Sequence, residues 1–256
     1  MAVEGGGGTA PETGKPVVAV TGASRGIGHA IVRLFYREGW DVITLARTPF
    51  SRVCPWAEGI VHHITTDLAD PASVHEAADE LKAMLAGRPL TALVNNAGIS
   101  PKGEDGSRLG ALETTLETLQ TVQQVNLIAP LLLCQQLLEE LKAARGAVVN
   151  VTSIAGFRVH PFAGAAYAVS KAALSALTRE LAHELARYDV RVNAVVPGEI
   201  ETAILSAGTE QVVETQVPMK RLGRPEEVAE VVHFLASRQA SYVTGSEIHI
   251  NGGQHI

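Results

Sequence analysis

Val17-Val18-Ala19-Val20-Thr21-Gly22-Ala23-Ser24-Arg25-Gly26-Ile27-Gly28 is the stretch whose reading decides the fold. An apolar, strand-like run passes directly into a glycine-rich turn. A helical stretch follows, with Ile27, Ile31, Leu34 and Phe35 on one face. Glycines after a strand allow a tight turn and let a diphosphate approach the backbone closely. The helix that follows offers N–H groups and the positive end of its dipole. Gly22, Ser24, Arg25, Gly26, Ile27 and Gly28 are therefore the candidate residues of a dinucleotide site. The spacing, Gly-x-x-x-Gly-x-Gly, is not the commoner Gly-x-Gly-x-x-Gly, and such a turn read alone is often only a turn.

Outward from this unit, short Val/Ala/Leu-rich runs alternate with longer helical stretches. Candidate strands are Val17–Thr21, Asp41–Ala46, Ile60–Thr65, Ala92–Asn95, Ala147–Thr152, Arg191–Val196 and Glu247–Ile250. The alternation predicts βαβ units in an α/β fold with a parallel sheet, and unbroken apolar strands are those covered by helices on both faces. No repeat or change of composition marks a second domain. Residues 1–14, with Gly5 to Gly8 in a row, read as a flexible tail, leaving 15–256 as one domain.

The 256 residues are 46% hydrophobic and 19% charged, enough for a large core, while 4% aromatics leave that core to Ala, Val, Leu and Ile. A formal charge of -6 and the lack of a basic run argue against nucleic acid or an anionic membrane as partner. Cys54 and Cys134 form neither a disulfide framework nor a metal-ligand pattern, so no metal is expected and a reduced cytoplasm is the natural compartment. No apolar run reaches the ~18–20 residues of a membrane span. His62 and His63 are neighbours on a strand, face opposite sides, and cannot easily share a metal.

Further along, the second strand ends at Ala46-Arg47, where dinucleotide sites usually read the adenosine ribose. No carboxylate stands there to mark NAD. Arg47 and Arg25 could grip a 2′-phosphate, which favours NADP(H) over NAD(H), unless both are ordinary solvated charges. The segment Thr48 to Gly59, with Pro49 and Pro55, is too broken for a full helix. Asp67, followed by Leu68, either contacts adenine or caps the next helix. Asn95, Ala97 and Gly98 close the fourth strand where small and amide groups can line a cofactor cleft. Helices are expected over Leu109–Gln123 and Val125–Ala143, with Leu112, Leu116, Leu119 and Val122 as a core stripe. Asn126, inside the second, is either structural or holds a water in a proton relay. Ser153 sits at the C-terminal edge of the fifth strand, where open α/β sheets place ligands. Pro197, Gly198, Ile200 and Thr202 follow the sixth strand, with Thr202 suited to a cofactor carboxamide. The segment Thr202 to Gln216 reads as a mobile lid over the substrate.

Tyr167 and Lys171 lie four apart in an Ala-rich helical run, so phenol and ammonium share one face. A free phenol, with a pKa near ~10, exchanges protons poorly at neutral pH. A neighbouring cation is expected to lower it and make Tyr167 a general acid/base. Read alone, such a pair is ordinary at a surface.

Thr21–Gly28, Asn95–Gly98, Asn126, Ser153, Tyr167-x-x-x-Lys171 and Pro197–Thr202 follow in an order and spacing that resembles the short-chain dehydrogenase/reductase family. The resemblance covers everything after the tail. It implies one doubly wound Rossmann-type domain with a seven-stranded parallel sheet and helices on both faces. It also implies a Ser153-Tyr167-Lys171 centre helped by Asn126, a nicotinamide cofactor, and a homodimer or homotetramer. The stretches Gln216–Gly223 and Tyr242–Gly253 look most like 3-oxoacyl-acyl-carrier-protein reductases. Two features depart from that pattern. The Ser153-to-Tyr167 interval is one residue longer than usual, adding to the loop around Pro161. Ala144 and Tyr188 stand about where carrier-protein reductases use arginines.

These readings converge on reversible hydride transfer between NADP(H) and a ketone or secondary alcohol. Lys171 is also expected on the nicotinamide ribose. The alternatives are a 3-oxoacyl-acyl-carrier-protein reductase, a non-catalytic dinucleotide-binding regulator, which the intact Ser153, Tyr167 and Lys171 set disfavours, and an epimerase or dehydratase.

Overall fold

Apolar runs that alternate their side chains between two covered faces build the sheet at the centre of the computed structural model, which describes residues 14–48, 61–202 and 208–256. The strands are β1 (Val17–Thr21), β2 (Asp41–Ala46), β3 (His62–Thr65), β4 (Ala92–Asn95), β5 (Ala147–Val151), β6 (Arg191–Pro197) and β7 (Glu247–Ile250). They pair in the order β3-β2-β1-β4-β5-β6-β7, all parallel. The expected α/β, doubly wound, seven-stranded architecture is thus the observed one. The sheet runs outward from β1 in one direction and resumes at β4 in the other. This reversal opens a crevice at the C-terminal ends of β1 and β4.

The helices are α1 (Gly26–Arg37), α2 (Pro71–Leu85), α3 (Leu116–Gln123), α4 (Ala129–Gln136), α5 (Leu138–Ala144), α6 (Ala165–Leu185), α7 (Thr209–Gln216) and α8 (Pro225–Ala236). Successive residues of β1 show how the layers form. Val17 and Ala19 join a core with Val74, Leu81 and Leu85 of α2, Leu133 of α4 and Leu181 of α6. Val18 and Val20 join the opposite core, with Ile31 and Phe35 of α1 and Val228 and Val232 of α8. Local chemistry sets the helix ends. Asp70 accepts from Ala72 N at 2.9 Å and Pro71 pre-sets the first turn of α2. The Arg191 guanidinium donates to Leu235 O and Ser237 O at 2.7 and 3.0 Å, satisfying carbonyls that α8 leaves open.

Some expectations need correction. The segment from Leu109 to Thr115 is not helical. Thr114 Oγ1 folds back onto Gly110 O at 2.7 Å, and Thr115 caps α3 by accepting from Thr118 N. Leu112 and Leu116 are consequently exposed, not core, while Val122 is fully buried. The stretch Val125–Ala143 is interrupted, by a π-helical turn over Gln124–Ile128 and again at Leu137. Pro130 has no N–H to give the carbonyl of Asn126, four residues back. The expected tail (but for Gly14), the segment 49–60 with the start of the third strand, and positions 203–207 of the expected lid lie outside the described residues. The rest of that lid includes α7. No described helix is long and apolar enough to cross a membrane.

Candidate active site

The glycine-rich turn takes the shape its glycines permit. Gly22 and Gly26 have φ of +68° and +55°, in the left-handed region. A Cβ on Gly22 would lie 2.7 Å from Ala97 Cα, and one on Gly28 would lie 2.4 Å from Asn96 Nδ2. The turn is fastened to the loop after β4 by side chains. Asn96 Nδ2 donates to Thr21 O and Gly22 O at 3.0 and 2.9 Å, and Thr21 Oγ1 accepts from Asn96 N and Ala97 N at 3.0 and 3.1 Å. Helix α1 starts with Arg25 as its N-cap, has no side-chain capping bond and carries no acidic residue in its first turn. Its first N–H groups and dipole thus face the crevice, which fits the diphosphate of a dinucleotide.

The crevice continues as a cleft of about 240 Å³ lined by Ile27, Asn96, Gly98, Val151, Thr152, Ser153, Tyr167, Lys171, Pro197, Gly198, Glu199, Ile200 and Thr202. Ser153, just past β5, and Tyr167, on α6, both line this cleft, and Ser153 stands close enough to favour the ionised Tyr167 phenol. Lys171, one turn further along α6, is buried. Its Nζ donates to Val151 O at 2.7 Å and lies 5.7 Å from the centre of the Tyr167 ring. Gly98 makes room for it, since a Cβ there would come within 3.2 Å of Nζ. Burial brings the Lys171 ammonium down to about 8. Burial also pushes the Tyr167 phenol up, and Ser153 offsets only part of this. The expected lowering of Tyr167 by Lys171 is not found: burial raises the phenol and only Ser153 works against it.

Asn126 is fully buried in the π-helical turn. Its Oδ1 accepts from Ile99 N at 2.8 Å, and its Nδ2 donates to Ile99 O at 3.0 Å and Ser170 Oγ at 2.9 Å. The side chain is thus committed to structure. Asn95 differs from expectation. It is buried, and its Nδ2 donates to Asn150 Oδ1 at 2.9 Å while Asn150 donates to Thr178. Its neighbour Asn96 takes the place in the cleft that the sequence suggested for Asn95. Asp67 accepts from Ala69 N at 3.0 Å, Asp70 is the helix cap, and the Leu68 side chain joins the core. Arg25 and Arg47 are exposed, and no described ion pair engages either. Ser24 lies within the turn, partly exposed. Thr202 reaches it, its Cγ2 standing 3.3 Å from where a Cβ on Gly26 would sit.

Sequence reasoning missed the pair His160 and Glu199, joined Nε2 to Oε1 at 2.5 Å with Gln254 Nε2 donating to the same oxygen at 3.3 Å. Burial alone would push the Glu199 carboxyl up, but the bonds from His160 and Gln254 hold it below the usual carboxylate range. A carboxylate directly after Pro197-Gly198, at the sheet edge that binds ligands, was the available signal. Among the described residues, no group of three or more His, Cys, Asp or Glu side chains could hold a metal ion.

A family model described as enoyl-(acyl carrier protein) reductase matches residues 22–255. The chain is 55% identical to Protein FixR of Bradyrhizobium diazoefficiens over 247 residues, covering 96% of this chain and 89% of that one. It is 39% identical to the 3-oxoacyl-[acyl-carrier-protein] reductase FabG of Aquifex aeolicus, covering 93% and 96%. A crystal structure of a Brucella ovis oxidoreductase of the short-chain dehydrogenase/reductase family, in complex with a partially ordered NAD, superposes with TM-score 0.81 at 51% identity, covering 93% and 100%. A 3-oxoacyl-[acyl-carrier protein] reductase of Brucella melitensis with bound NAD superposes with TM-score 0.84 at 33% identity, covering 94% and 91%.

Proposed function

This chain belongs to the short-chain dehydrogenase/reductase family of oxidoreductases, close to its 3-oxoacyl-acyl-carrier-protein reductase-like members, and on that footing we propose that it interconverts a ketone and a secondary alcohol with NADP(H), using Ser153, Tyr167 and Lys171. One observation carries the reading: the hydroxyls of Ser153 and Tyr167 share a cleft with a buried ammonium, beside an uncapped helix N-terminus. When bound there, a nicotinamide dinucleotide supplies or accepts the hydride. Gly22, Ser24, Arg25, Gly26, Ile27 and Gly28 would hold its diphosphate. Asp67 and the Leu68 backbone would face its adenine, and Asn96, Ala97 and Gly98 would wall its middle. Lys171 would take its nicotinamide ribose, and Pro197, Gly198, Ile200 and Thr202 its nicotinamide.

The side chains then divide the work. A phenol held above its ordinary value keeps its proton at neutral pH, so Tyr167 is the acid that protonates a developing alkoxide. Ser153 donates to the same oxygen and stabilises its growing charge. Asn126 would anchor the water that returns a proton to the site.

Exposed Arg25 and Arg47, with no carboxylate at the end of β2, support NADP(H). The Brucella ovis protein with NAD makes NADH the competing arm of the test. Similarity to the Aquifex aeolicus protein supports a second reading, reduction of 3-oxoacyl thioesters. Exposed Leu116 and Val169 support assembly as a homodimer or homotetramer, which light scattering measures.

The deciding experiment follows NADPH and NADH consumption by the purified chain against small ketones and 3-oxoacyl thioesters. Tyr167→Phe is expected to bind NADPH normally and to lose at least ~100-fold in turnover. Near-normal turnover in that variant overturns the proposal.

A further inference from the structure

Glu199 places a buried carboxylate in the same cleft as Ser153 and Tyr167. Its side chain is 9% exposed, and His160 and Gln254 both donate to its Oε1. The charge of this pair follows from the hydrogen bonds. The backbone N–H groups of Phe162 and Ala163 both donate to His160 Nδ1, at 3.2 and 3.3 Å. A backbone N–H can only donate, so Nδ1 is an acceptor and the ring proton is on Nε2. The imidazole is therefore neutral and the pair carries one negative charge. Lys171, the cation that shares the cleft, already donates to Val151 O.

The loop that supplies His160 is pinned. Lys102 Nζ donates to Phe162 O at 2.5 Å, Arg108 Nε to Ala163 O at 2.9 Å, and Arg158 donates to Gln254 O at 2.7 Å. This is the loop that the long Ser153-to-Tyr167 interval enlarges, and its extra length lies beside His160. A neutral acceptor would tie two loops together without the desolvation penalty of a buried charge. A carboxylate has acceptor capacity on two oxygens, and the described donors use Oε1. The chemistry that this leftover capacity recognises is an O–H donor on the substrate.

We propose that Glu199, oriented by His160 and Gln254, is a specificity residue that accepts a hydrogen bond from a substrate hydroxyl neighbouring the reacting carbonyl. The substrate class is then small α-hydroxy ketones and the vicinal diols formed from them. This rests on the hydride-transfer reading above and narrows it away from long acyl chains. A site built to hold a hydroxyl discriminates strongly against the analogue that lacks it, because its acceptor is then left buried and unpaired.

The test compares hydroxyacetone with butanone, equal in size and different by one hydroxyl, using the purified full chain and whichever dinucleotide it consumes. Wild type is expected to favour hydroxyacetone in kcat/KM at least tenfold beyond the ratio given by borohydride, which removes the difference in intrinsic electrophilicity. Glu199→Leu is expected to reduce that preference at least tenfold while its dinucleotide Kd stays within threefold. Glu199→Gln, which keeps shape and one acceptor, is expected to fall between the two. An excess of less than twofold over borohydride in wild type, or an unchanged preference in both variants, overturns the specificity role. Turnover of neither ketone nor of any 3-oxoacyl thioester, in protein that binds the dinucleotide, overturns the hydride-transfer reading itself.

Discussion

Replacing Lys171 with methionine is expected to make this protein more stable while destroying its turnover. The side chain is 2% exposed and is seated on a single carbonyl, Val151 O. Burial lowers the ammonium from 10.5 to about 8, and at 1.36 kcal/mol for each tenfold change in acidity the buried charge costs about 3 kcal/mol at neutral pH. Methionine keeps the apolar stem and removes that cost. It also strands Val151 O, which returns about 1–2 kcal/mol. The net gain at pH 7 is then about 1–2 kcal/mol. The pH dependence is the sharper check. Between pH 8 and 10.5 the unfolded chain binds more protons at this lysine than the folded one, so wild-type stability rises with pH across that window. Below pH 8 the full penalty is present, and above 10.5 it is gone. The stability difference between Lys171→Met and wild type should therefore swing by about 3 kcal/mol toward wild type from pH 7 to pH 10.5. Urea unfolding at both pH values, at one protein concentration, measures it as shifts in midpoint at constant slope. All other titrating groups are common to the two proteins and cancel. A difference constant to within about 0.5 kcal/mol across this range would refute the desolvation argument.

Three further outcomes follow from the site. Arg47→Ala should weaken NADPH at least tenfold in isothermal titration and leave NADH within about twofold, an equal loss removing Arg47 from the choice of cofactor. Gly22→Ala places a Cβ 2.7 Å from Ala97 Cα at a φ of +68°. It should cost about 1–3 kcal/mol in thermal unfolding and abolish dinucleotide binding, and wild-type values for both would show the turn to be pliable. Alcohol oxidation needs the Tyr167 phenolate and carbonyl reduction needs the phenol. With that phenol raised by burial, oxidation should still be climbing with pH through the ordinary phenol range while reduction holds level and falls only above it, and parallel profiles would exclude Tyr167 as the shared acid/base.

The inner strands were legible because a sheet covered on both faces leaves only one pattern, the apolar run, and β1, β2 and β4 have the expected bounds. The Tyr167 and Lys171 pairing was legible for a similar reason, since four residues along one helix fix a shared face. Errors arose where a side chain chose a partner distant in sequence. Asn95 and Asn96 are chemically identical neighbours, and only the register of β4 with β5 sends Asn95 to Asn150 and leaves Asn96 for the cleft. The leucines at 112 and 116 kept helical spacing, yet the Thr114 and Thr115 hydroxyls bind local backbone and start the helix late. His160 and Glu199 are 39 positions apart, and nothing local in either stretch names the other.

Thr21 Oγ1 receives two consecutive backbone N–H groups, those of Asn96 and Ala97, while giving its own proton to Val94 O. One side-chain rotor therefore governs two amides that no strand ladder protects. Their hydrogen exchange with solvent is then a single correlated event, and it is locked to the fate of the turn that Asn96 clasps from the other side. The floor of the cleft opens as one unit or not at all, so slow exchange at positions 96 and 97 reports directly on the integrity of the Gly22 turn.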